Sequence, residues 1–327
     1  MRVTAAATMA ALALLVPAAA NDTFATLGAG GLTPVKSATV VMESEDLRIS
    51  AKRIDVRYVF RNTGPRNVNA VVAFPLPELE GGMATHEPLR LPSRDPVNFV
   101  DFRVRIAGQP VAAQAEVREW HKGRDITDRV LALGLPVSVV DESFQAAVAR
   151  LAPDRRRRLE RDEWIVGEET GRGKEQWYWP TWTTRVRFWW RQRFPAGAAV
   201  EVEHSYRPVA GGSFITANNS GASSVERYCG GADALTQVAK LKAKHTAAKE
   251  GDPVLFEKRV RYVLTTANNW SGPIRDFRLT VTAADPDDIV LSCMPGLRRV
   301  APARYELQRT SFRPDRDLEL LILQARE

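Results

Sequence analysis

A stretch near the start of the chain, in which apolar and charged residues alternate one by one, constrains the fold most. Its apolar members are Ile54, Val56, Tyr58 and Phe60, and its charged members are Arg53, Asp55 and Arg57. Because successive side chains of a β-strand point to opposite faces, this alternation indicates a strand with one buried and one solvated face. A register slip of one residue would bury the charges, so the four apolar residues should face the core together.

The residues after this strand predict a hairpin. Asn62-Thr63-Gly64-Pro65 has the composition of a turn, and residues 68–74 can form a returning strand. Pro75 and Pro77 would end that strand, because proline has no amide hydrogen to donate to the ladder. We therefore expect residues 53–61 to pair antiparallel with residues 68–74.

The rest of the chain predicts a mainly β protein, an antiparallel β-sandwich with a helical insertion. Further strand-like runs lie at residues 99–106, 111–117, 186–194, 200–204, 259–266, 277–283, 289–293 and 318–323. The first two runs flank Gly108-Gln109-Pro110 as a second hairpin. Apolar residues at helical spacing in 136–151, followed by a charged helix at 155–163, place the insertion at about 121–176. Many short strands with turn residues between them imply sandwich architecture.

A boundary between two β-rich parts is indicated near the middle of the chain. Residues 211–224 are small and polar, which is typical of a linker or a mobile loop. Residues 21–215 would form the sandwich with its insertion. Residues 216–327 would form a helix at 233–250 and a second β-rich part, either as a separate domain or as one body with the first.

The first twenty residues have the pattern of a secretory signal peptide. Met1-Arg2 is basic, residues 5–16 form an apolar run broken only by Thr8, and Pro17 precedes Ala18-Ala19-Ala20. A run of roughly a dozen apolar residues is too short to span the ~30 Å hydrocarbon core, which argues against a membrane anchor. We therefore expect cleavage after Ala20, a periplasmic or secreted location, and no transmembrane segment in the mature chain.

The formal net charge of +7 favours anionic surroundings, such as lipid headgroups or acidic polymers. Basic and acidic residues are interleaved along the chain, however, which favours a solvated surface over a dedicated polyanion site. Even the arginine run at 155–158 has acidic residues at i,i+4 spacing, so we expect a self-paired helix face and no nucleic-acid binding. A partner would be another envelope protein or an anionic or glycan component of the envelope.

The chain has two cysteines, Cys229 and Cys293. In an oxidising compartment an even pair usually forms one disulfide, and closing a loop of about 65 residues would stabilise the fold by roughly 4 kcal/mol. The alternatives are two buried thiols or a redox centre, but neither cysteine belongs to a C-x-x-C motif. We therefore predict a structural Cys229–Cys293 bridge.

Part of the N-terminal half resembles the VIT (vault/inter-alpha-trypsin) domain. In that domain an alternating strand ends in Phe-x-Asn, as at Phe60-Arg61-Asn62, and its partner ends in Phe-Pro-Leu-Pro, as at Phe74-Pro75-Leu76-Pro77. The resemblance implies a β-sandwich built around that hairpin. The chain departs from the family in the helical residues inserted between about Trp120 and Trp182.

The whole mature chain is similar to the bacterial domain-of-unknown-function family 4424. The similarity is carried by Asn21-Asp22-Thr23, Gly30-Gly31-Leu32, Ser44-Glu45-Asp46-Leu47, Ala73-Phe74-Pro75-Leu76-Pro77, Pro180-Thr181-Trp182, His204-Ser205-Tyr206-Arg207-Pro208, Asn269-Trp270, Gly272-Pro273-Ile274 and Pro314-Asp315-Arg316-Asp317-Leu318. The resemblance implies a secreted or periplasmic protein. It supplies no activity, because the family has none assigned.

No motif assigns a catalytic activity, a cofactor or a metal site. The histidines His86, His121, His204 and His245 are far apart, and the chain has no H-E-x-x-H, C-x-x-C or G-x-S-x-G pattern. We therefore expect a non-enzymatic binding or scaffolding module without a cofactor. The alternative is a periplasmic glycan hydrolase with carboxylates near the tryptophans, which no sequence pattern can reveal.

A dense group of tryptophans supplies the candidate ligand-binding residues. They are Trp177, Trp179, Trp182, Trp189 and Trp190, together with Arg187. Adjacent Trp189 and Trp190 must point to opposite faces of a strand, so at least one should be exposed or covered by the insertion. An exposed aromatic platform could stack on sugar rings or enter a membrane interface, and packing in the core is the alternative role.

The signal peptide generates the first prediction. Full-length protein produced in a bacterium should be processed after Ala20 and recovered from the periplasm, because the small residues before that bond suit a signal peptidase. N-terminal sequencing of the periplasmic protein measures this. A sequence that begins at Met1 in a soluble cytoplasmic fraction would refute export.

Overall fold

The structure is a computed structural model, and it describes residues 22–28, 31–81, 91–170, 175–245 and 253–325. The predicted signal peptide at residues 1–20 lies outside these ranges. The described residues form several antiparallel sheets and few helices, so the mainly β class is confirmed.

The described strands and helices follow one another in this order. The strands are β1 (Thr23–Gly28), β2 (Gly31–Pro34), β3 (Val40–Ile49), β4 (Ile54–Asn62), β5 (Val68–Pro75), β6 (Leu79–Glu80), β7 (Arg103–Ile106), β8 (Gln109–Val111), β9 (Gln114–His121), β10 (Arg124–Asp125), β11 (Ile165–Thr170), β12 (Glu175–Pro180), β13 (Thr183–Phe194), β14 (Ala199–Tyr206), β15 (Gly211–Thr216), β16 (Pro253–Tyr262), β17 (Ile274–Thr282), β18 (Ile289–Leu291), β19 (Arg298–Ala301), β20 (Arg304–Phe312) and β21 (Leu318–Gln324). The helices are α1 (Thr127–Ala132), α2 (Phe144–Ala149), α3 (Pro153–Arg161), α4 (Ala222–Arg227) and α5 (Ala232–Lys244), with a 3₁₀ turn at Thr265–Asn269.

Two large sheets contribute to the main core. One has the strand order β10-β9-β13-β5-β1-β2, with β6 also paired to β13, and the other has the order β19-β20-β17-β3-β4-β14-β7-β8. The pair β3–β17 is parallel, and the other described pairs in these sheets are antiparallel. Apolar side chains of both sheets fill one core that includes Phe60, Phe74 and Phe194.

The alternating strand β4 lies where the pattern predicts it, but the predicted hairpin is wrong. Ile54, Val56, Tyr58 and Phe60 are each 3% exposed or less, so the buried face is confirmed. β4 pairs with β3 and β14, whereas β5 lies in the other sheet between β1 and β13. Residues 63–67 therefore carry the chain from one sheet to the other. Alternation determines which face is buried, but it does not determine which strand is the neighbour.

Two further sequence predictions need correction. The second hairpin forms only around Gly108, between β7 and β8, and β9 then crosses to the other sheet to pair with β13. The expected linker at 211–224 contains strand β15, which pairs with β16, and the start of α4. Phe214 is exposed and Ile215 is buried, so this segment follows a strand pattern despite its small polar neighbours.

The insertion contains α1 to α3 and the strand pair β11–β12, and it is attached to the sheet at a buried acid. Glu119 is fully buried and accepts hydrogen bonds from the Thr184 hydroxyl at 2.9 and 3.0 Å. The Thr184 oxygen accepts a bond from the amide of Val139, and the Thr127 oxygen accepts one from the amide of Glu119. Burial raises the pKa of Glu119 to about 8, although the Thr184 hydrogen bond opposes this shift.

The C-terminal residues form a four-stranded sheet with the order β15-β16-β21-β18, and this sheet shares the main core. Leu320 and Ile322 of β21 belong to that core, while Leu321 and Leu323 pack in a second cluster with side chains of α4 and α5. All four are fully buried. The sheet is therefore a layer between the sandwich and the helices.

Cys229, which follows α4, forms a disulfide with Cys293, which follows β18, as the cysteine count predicts. The two Cα atoms are 5.0 Å apart, and the bridge closes a loop of 64 residues. On the chain-entropy model a loop of this length contributes about 4 kcal/mol to stability. The bridge joins the helical layer to the four-stranded sheet.

Glu119 makes the stability of the fold depend on pH. Its folded-state pKa of about 8 lies above the ordinary value of 4.5, so folding favours the protonated carboxyl. The stabilisation from this group is fully present below pH 4.5 and is lost as the pH rises through about 8. We expect Glu119→Gln, which cannot ionise, to flatten the pH dependence in this window and to raise the free energy of unfolding above it.

Urea unfolding at about pH 5, 7 and 9 measures this effect. Glu142→Gln is the matched control, because Glu142 is an exposed glutamate of the same insertion. The control should keep the pH dependence of the wild-type chain. A pH dependence that is equally steep in Glu119→Gln would contradict the proposed role of the buried acid.

Candidate functional site

A cleft opens where one end of the sandwich meets the four-stranded sheet. Its volume is about 690 Å³, which lies within the range of small-molecule binding sites. The walls come from the chain after β5, the loop before β7, the start of β13, the end of β14, the last turn of α4, and strands β16 and β21. The cleft is thus built by segments that are far apart in the sequence.

One wall of the cleft is apolar. Leu76 and Pro77 follow β5, Phe99 and Val100 precede β7, and Val209 follows β14. Pro75 still pairs with Arg187 of β13, and after Pro77, which has no amide hydrogen to donate, the chain pairs with β13 again as β6. Leu76, Phe99 and Val100 are 3% exposed or less and belong to the core behind this wall, so its accessible apolar surface comes from half-buried residues such as Pro77 and Val209.

The opposite wall carries charged residues in fixed pairs. Arg261 of β16 and Glu319 of β21 are cross-strand partners, with 3.3 Å between Nε and Oε1. Arg259 is bonded to the buried Glu257 at 2.5 Å. At the mouth, Glu78 is paired with Arg185, with 2.6 Å between Oε1 and Nε.

Arg227, the last residue of α4, is the cation of the cleft that does not form such an ion pair with a carboxylate. Its guanidinium carbon lies 5.9 Å from the centre of the Tyr228 ring. In the described parts of the chain no carboxylate lies within ion-pair distance of it. Gly221 starts this helix with a φ of +72°, and a Cβ there would lie 2.6 Å from Ile215 Cδ1, so the helix can begin here because the residue is glycine.

Tyr206, at the end of β14, adds a neutral polar group to the lining of the cleft. Its hydroxyl is buried, and no described protein group hydrogen-bonds to it. Burial raises the pKa of this phenol well above its ordinary value of 10.0, so it remains protonated and can donate a hydrogen bond.

A second group of polar side chains is sealed inside the main core. The hydroxyls of Tyr58 and Tyr262 are 2.7 Å apart, and Tyr262 donates to Glu45 at 3.2 Å. His204 Nε2 lies 3.4 Å from Asp22 Oδ1, and both side chains are 0% exposed. Burial lowers the pKa of His204 to about 3, and burial together with the charge of Glu45 raises the pKa of Asp22. Because solvent does not reach these groups, they organise the core and do not form a ligand site.

The structure separates the tryptophans that are close in sequence. Trp182 and Trp190 are 1% and 3% exposed, so they are core rings and cannot form a ligand surface. Trp189 points to the other side of β13, as expected for adjacent strand residues, and packs beside Ala25 and Leu32. The predicted five-tryptophan cluster is therefore not a single site.

Trp177 and Trp179 lie on the surface of β12. Trp177 is 40% exposed and stacks on Trp179 with 6.2 Å between the ring centres. Tyr178 points to the other face, and its backbone amide donates to the side-chain oxygen of Gln145. Neither tryptophan lines the cleft.

Arg187, the remaining predicted binding residue, connects β13 to β2 and β9. It donates from Nη1 to the carbonyl oxygen of Leu32 at 2.8 Å and pairs with Glu116 at 3.3 Å. Sequence reasoning missed the cleft residues, because Arg227 and Arg261 belong to no motif. The usable signal was the family resemblance, because its segments at 74–77, 180–182 and 204–208 contribute Leu76, Pro77, Thr181, Tyr206 and Pro208 to the cleft.

The fold and the cleft together define a β-sandwich protein with a ligand-sized cleft at one end of the sandwich. The family described as "Domain of unknown function (DUF4424)" matches residues 20–321, and the chain belongs to this family. A search of curated proteins finds no match. A similar solved structure is that of a "putative nutrient binding protein" from Legionella pneumophila subsp. pneumophila str. Philadelphia 1, with 16% identity, a TM-score of 0.46, and coverage of 93% of this chain and 70% of that chain.

The family predicted from the sequence is thus confirmed, whereas the hairpin behind the VIT resemblance is absent, because β4 and β5 lie in different sheets. No helix in the described ranges is long and apolar enough to cross a membrane. Within the same ranges, no three His, Cys, Asp or Glu side chains are grouped so that they could hold a metal ion.

The different burial of the tryptophans predicts two different mutational effects. Trp190→Ala should lower the free energy of unfolding by ~3–5 kcal/mol, because it removes a large ring from a packed core. Trp177→Ala should change it by less than about 0.5 kcal/mol, because the ring is on the surface. Urea titration of both variants measures the free energy of unfolding. A Trp177→Ala variant as unstable as Trp190→Ala would contradict the assignment of Trp177 to the surface and Trp190 to the core.

Proposed function

We propose that the protein is an exported, non-enzymatic binding protein of the bacterial envelope, and that its cleft binds a small organic anion with an apolar body. The observation that carries the proposal is the pairing of an apolar wall with Arg227, a cation that has no carboxylate partner in the described chain. An amphiphilic anion matches both features. Its apolar body would lie against Pro77, Pro208 and Val209, the half-buried apolar residues of the cleft, and its anionic group would meet the guanidinium.

The physical chemistry of the cleft supports this class of ligand. Sites for small molecules are mainly apolar with a few polar groups that orient the ligand, and the cleft has this composition. A guanidinium can bind a carboxylate or a phosphate through two parallel hydrogen bonds, which gives orientation as well as affinity.

The export part of the proposal rests on separate observations. The signal-peptide pattern at residues 1–20 and the Cys229–Cys293 disulfide both fit an oxidising compartment outside the cytoplasm. A ligand-binding protein in that location would meet its ligand in the periplasm or at the cell surface.

Arrangement of the carboxylates favours binding over glycan hydrolysis. Hydrolysis needs two carboxyl groups that face each other across the sugar, at ~5–10 Å. Of the three carboxylates that line the cleft, Glu78 and Glu319 are each held by an arginine, Arg185 and Arg261 respectively, which leaves only Glu80 without an ion pair among the described residues. Release of reducing sugar from envelope glycans by the wild-type chain, with loss in Glu319→Gln, would favour the hydrolase instead.

Binding of 8-anilinonaphthalene-1-sulfonate, an aromatic anion whose fluorescence rises in an apolar site, tests the cleft directly. We expect the folded mature chain to bind it, and Arg227→Met to weaken binding by ~10–100-fold, because a charge-assisted contact contributes ~1.5–3 kcal/mol. Val209→Trp, which fills the cleft without changing charge, should also abolish binding.

Arg155→Met on α3 is the matched control, because Arg155 is an exposed arginine away from the cleft. It should bind the dye like the wild-type chain. Near-ultraviolet circular dichroism must show native packing in every variant, since this dye also binds partly unfolded proteins. Equal affinity in the wild-type chain, Arg227→Met and Val209→Trp would refute the cleft as the binding site.

A further inference from the structure

The outer face of the eight-stranded sheet carries a row of charges of alternating sign. In register across five strands, the row consists of Arg278 (β17), Asp46 (β3), Arg57 (β4), Glu203 (β14) and Arg105 (β7). All five residues are exposed or half-buried. Directly paired residues of a sheet point to the same face, so these side chains form one continuous surface.

A second row runs parallel to the first, two residues further along the strands and so about 7 Å away. Its members, in cross-strand order, are Arg298, Glu306, Thr280, Arg48, Asp55, Ser205 and Arg103. Two adjoining grooves of about 1170 and 850 Å³ lie over the rows, and both are lined by Asp46 and Arg48. We refer to the two rows and their grooves as the arginine face.

The arginine face has more arginines than carboxylates. Its lining includes nine arginines, no lysine and four carboxylates, and three further carboxylates, Asp101, Glu201 and Asp276, pair with arginines of the face, which leaves a local excess of two. Interleaving of charges along the sequence predicted a solvated surface rather than a dedicated polyanion site. Pairing of distant strands nevertheless collects more arginines than acids on one face.

The ion pairs already present on this face do not prevent an anion from binding. Arg48 pairs with Asp46 at 2.9 Å, and Arg278 pairs with Asp276 at 3.0 Å, but these groups are largely in contact with solvent. Exposed pairs of this kind contribute ~0–1 kcal/mol, so a ligand can replace them at little cost. Arg105 and Arg298 have no carboxylate partner within the described ranges.

We propose that the arginine face binds a linear acidic polysaccharide that lies along the rows of guanidinium groups. The first row crosses five strands and therefore extends over ~19 Å, which suits a polymer better than a single small anion. Guanidinium groups form bidentate contacts with carboxylates, and several weak contacts on one polymer add to a strong overall affinity.

The chemistry of the face argues against a lipid bilayer as its partner. Membrane-surface elements combine basic residues with apolar or aromatic residues that enter the acyl region. No member of either row is apolar. Apolar residues such as Leu297 and Val111 also line the grooves, but they are half-buried and do not project from the surface.

Calorimetric titration of the mature chain with sodium polygalacturonate, a linear polymer of carboxylated sugars, tests the proposal. The double variant Arg105→Glu/Arg298→Glu should bind at least about tenfold more weakly at low salt, because it reverses two charges on the face. Both arginines are exposed and have no described carboxylate partner, so the variant should keep its melting temperature.

The matched control is Arg155→Glu/Arg161→Glu, which makes the same change of charge at exposed positions of α3. Its affinity should stay within about twofold of the wild-type value, and wild-type affinity should fall steeply between about 20 and 200 mM salt. Equal losses in the two double variants would show that net charge alone is responsible, and would overturn the proposal. Absence of binding to the polymer, or binding to phosphatidylglycerol vesicles alone, would overturn it as well. The test is independent of the cleft, because neither arginine lines it.

Discussion

A buried hydrogen bond between Tyr58 and Tyr262 ties the three main sheets into one structure. Tyr58 belongs to the eight-stranded sheet and Tyr262 to the four-stranded sheet, and Tyr262 also packs against Phe74 of the seven-stranded sheet at 6.5 Å between ring centres. A typical intramolecular hydrogen bond contributes ~0.5–1.5 kcal/mol to stability. Without the C-terminal sheet, Tyr58 and Glu45 would each lose one buried hydrogen bond. The sandwich therefore depends on residues more than 200 positions away in the chain.

This dependence also explains where the two proposed surfaces lie. The four-stranded sheet contributes Tyr262 to the core, and the cleft lies between this sheet and strand ends of the sandwich. On β4, Tyr58 points inward to that core while Arg57 points outward to the arginine face. A single period-two pattern thus supplies both the buried contact that holds the sheets together and the charged surface on the other side.

The sequence predicted features that depend on a single strand, and it did not predict features that depend on contacts between distant parts of the chain. The buried face of β4 and the opposite directions of Trp189 and Trp190 follow from the geometry of a single strand, and both were predicted correctly. The pairing of β4 with β14 depends on contacts more than 130 residues apart, and the short segment at 63–67 gives no sign that the chain changes sheets. The cleft was unpredictable for the same reason. It requires Leu76, Arg227 and Glu319 to meet, and no periodicity connects them.

The disulfide connects the proposed location of the protein to the proposed binding site. Arg227 lies two residues before Cys229, and the Cys293 sulfur is 3.6 Å from the carbonyl oxygen of Arg227. The bridge therefore attaches the end of α4, a helix of six residues, to the end of β18. A helix this short has little stability of its own. The position of the guanidinium therefore depends on this attachment and on the packing of Val225 and Tyr228. In a reducing cytoplasm the attachment would be lost, whereas an oxidising compartment would maintain it. Export would thus favour a well-ordered cleft, because an oxidising compartment maintains the bridge that attaches the backbone next to Arg227.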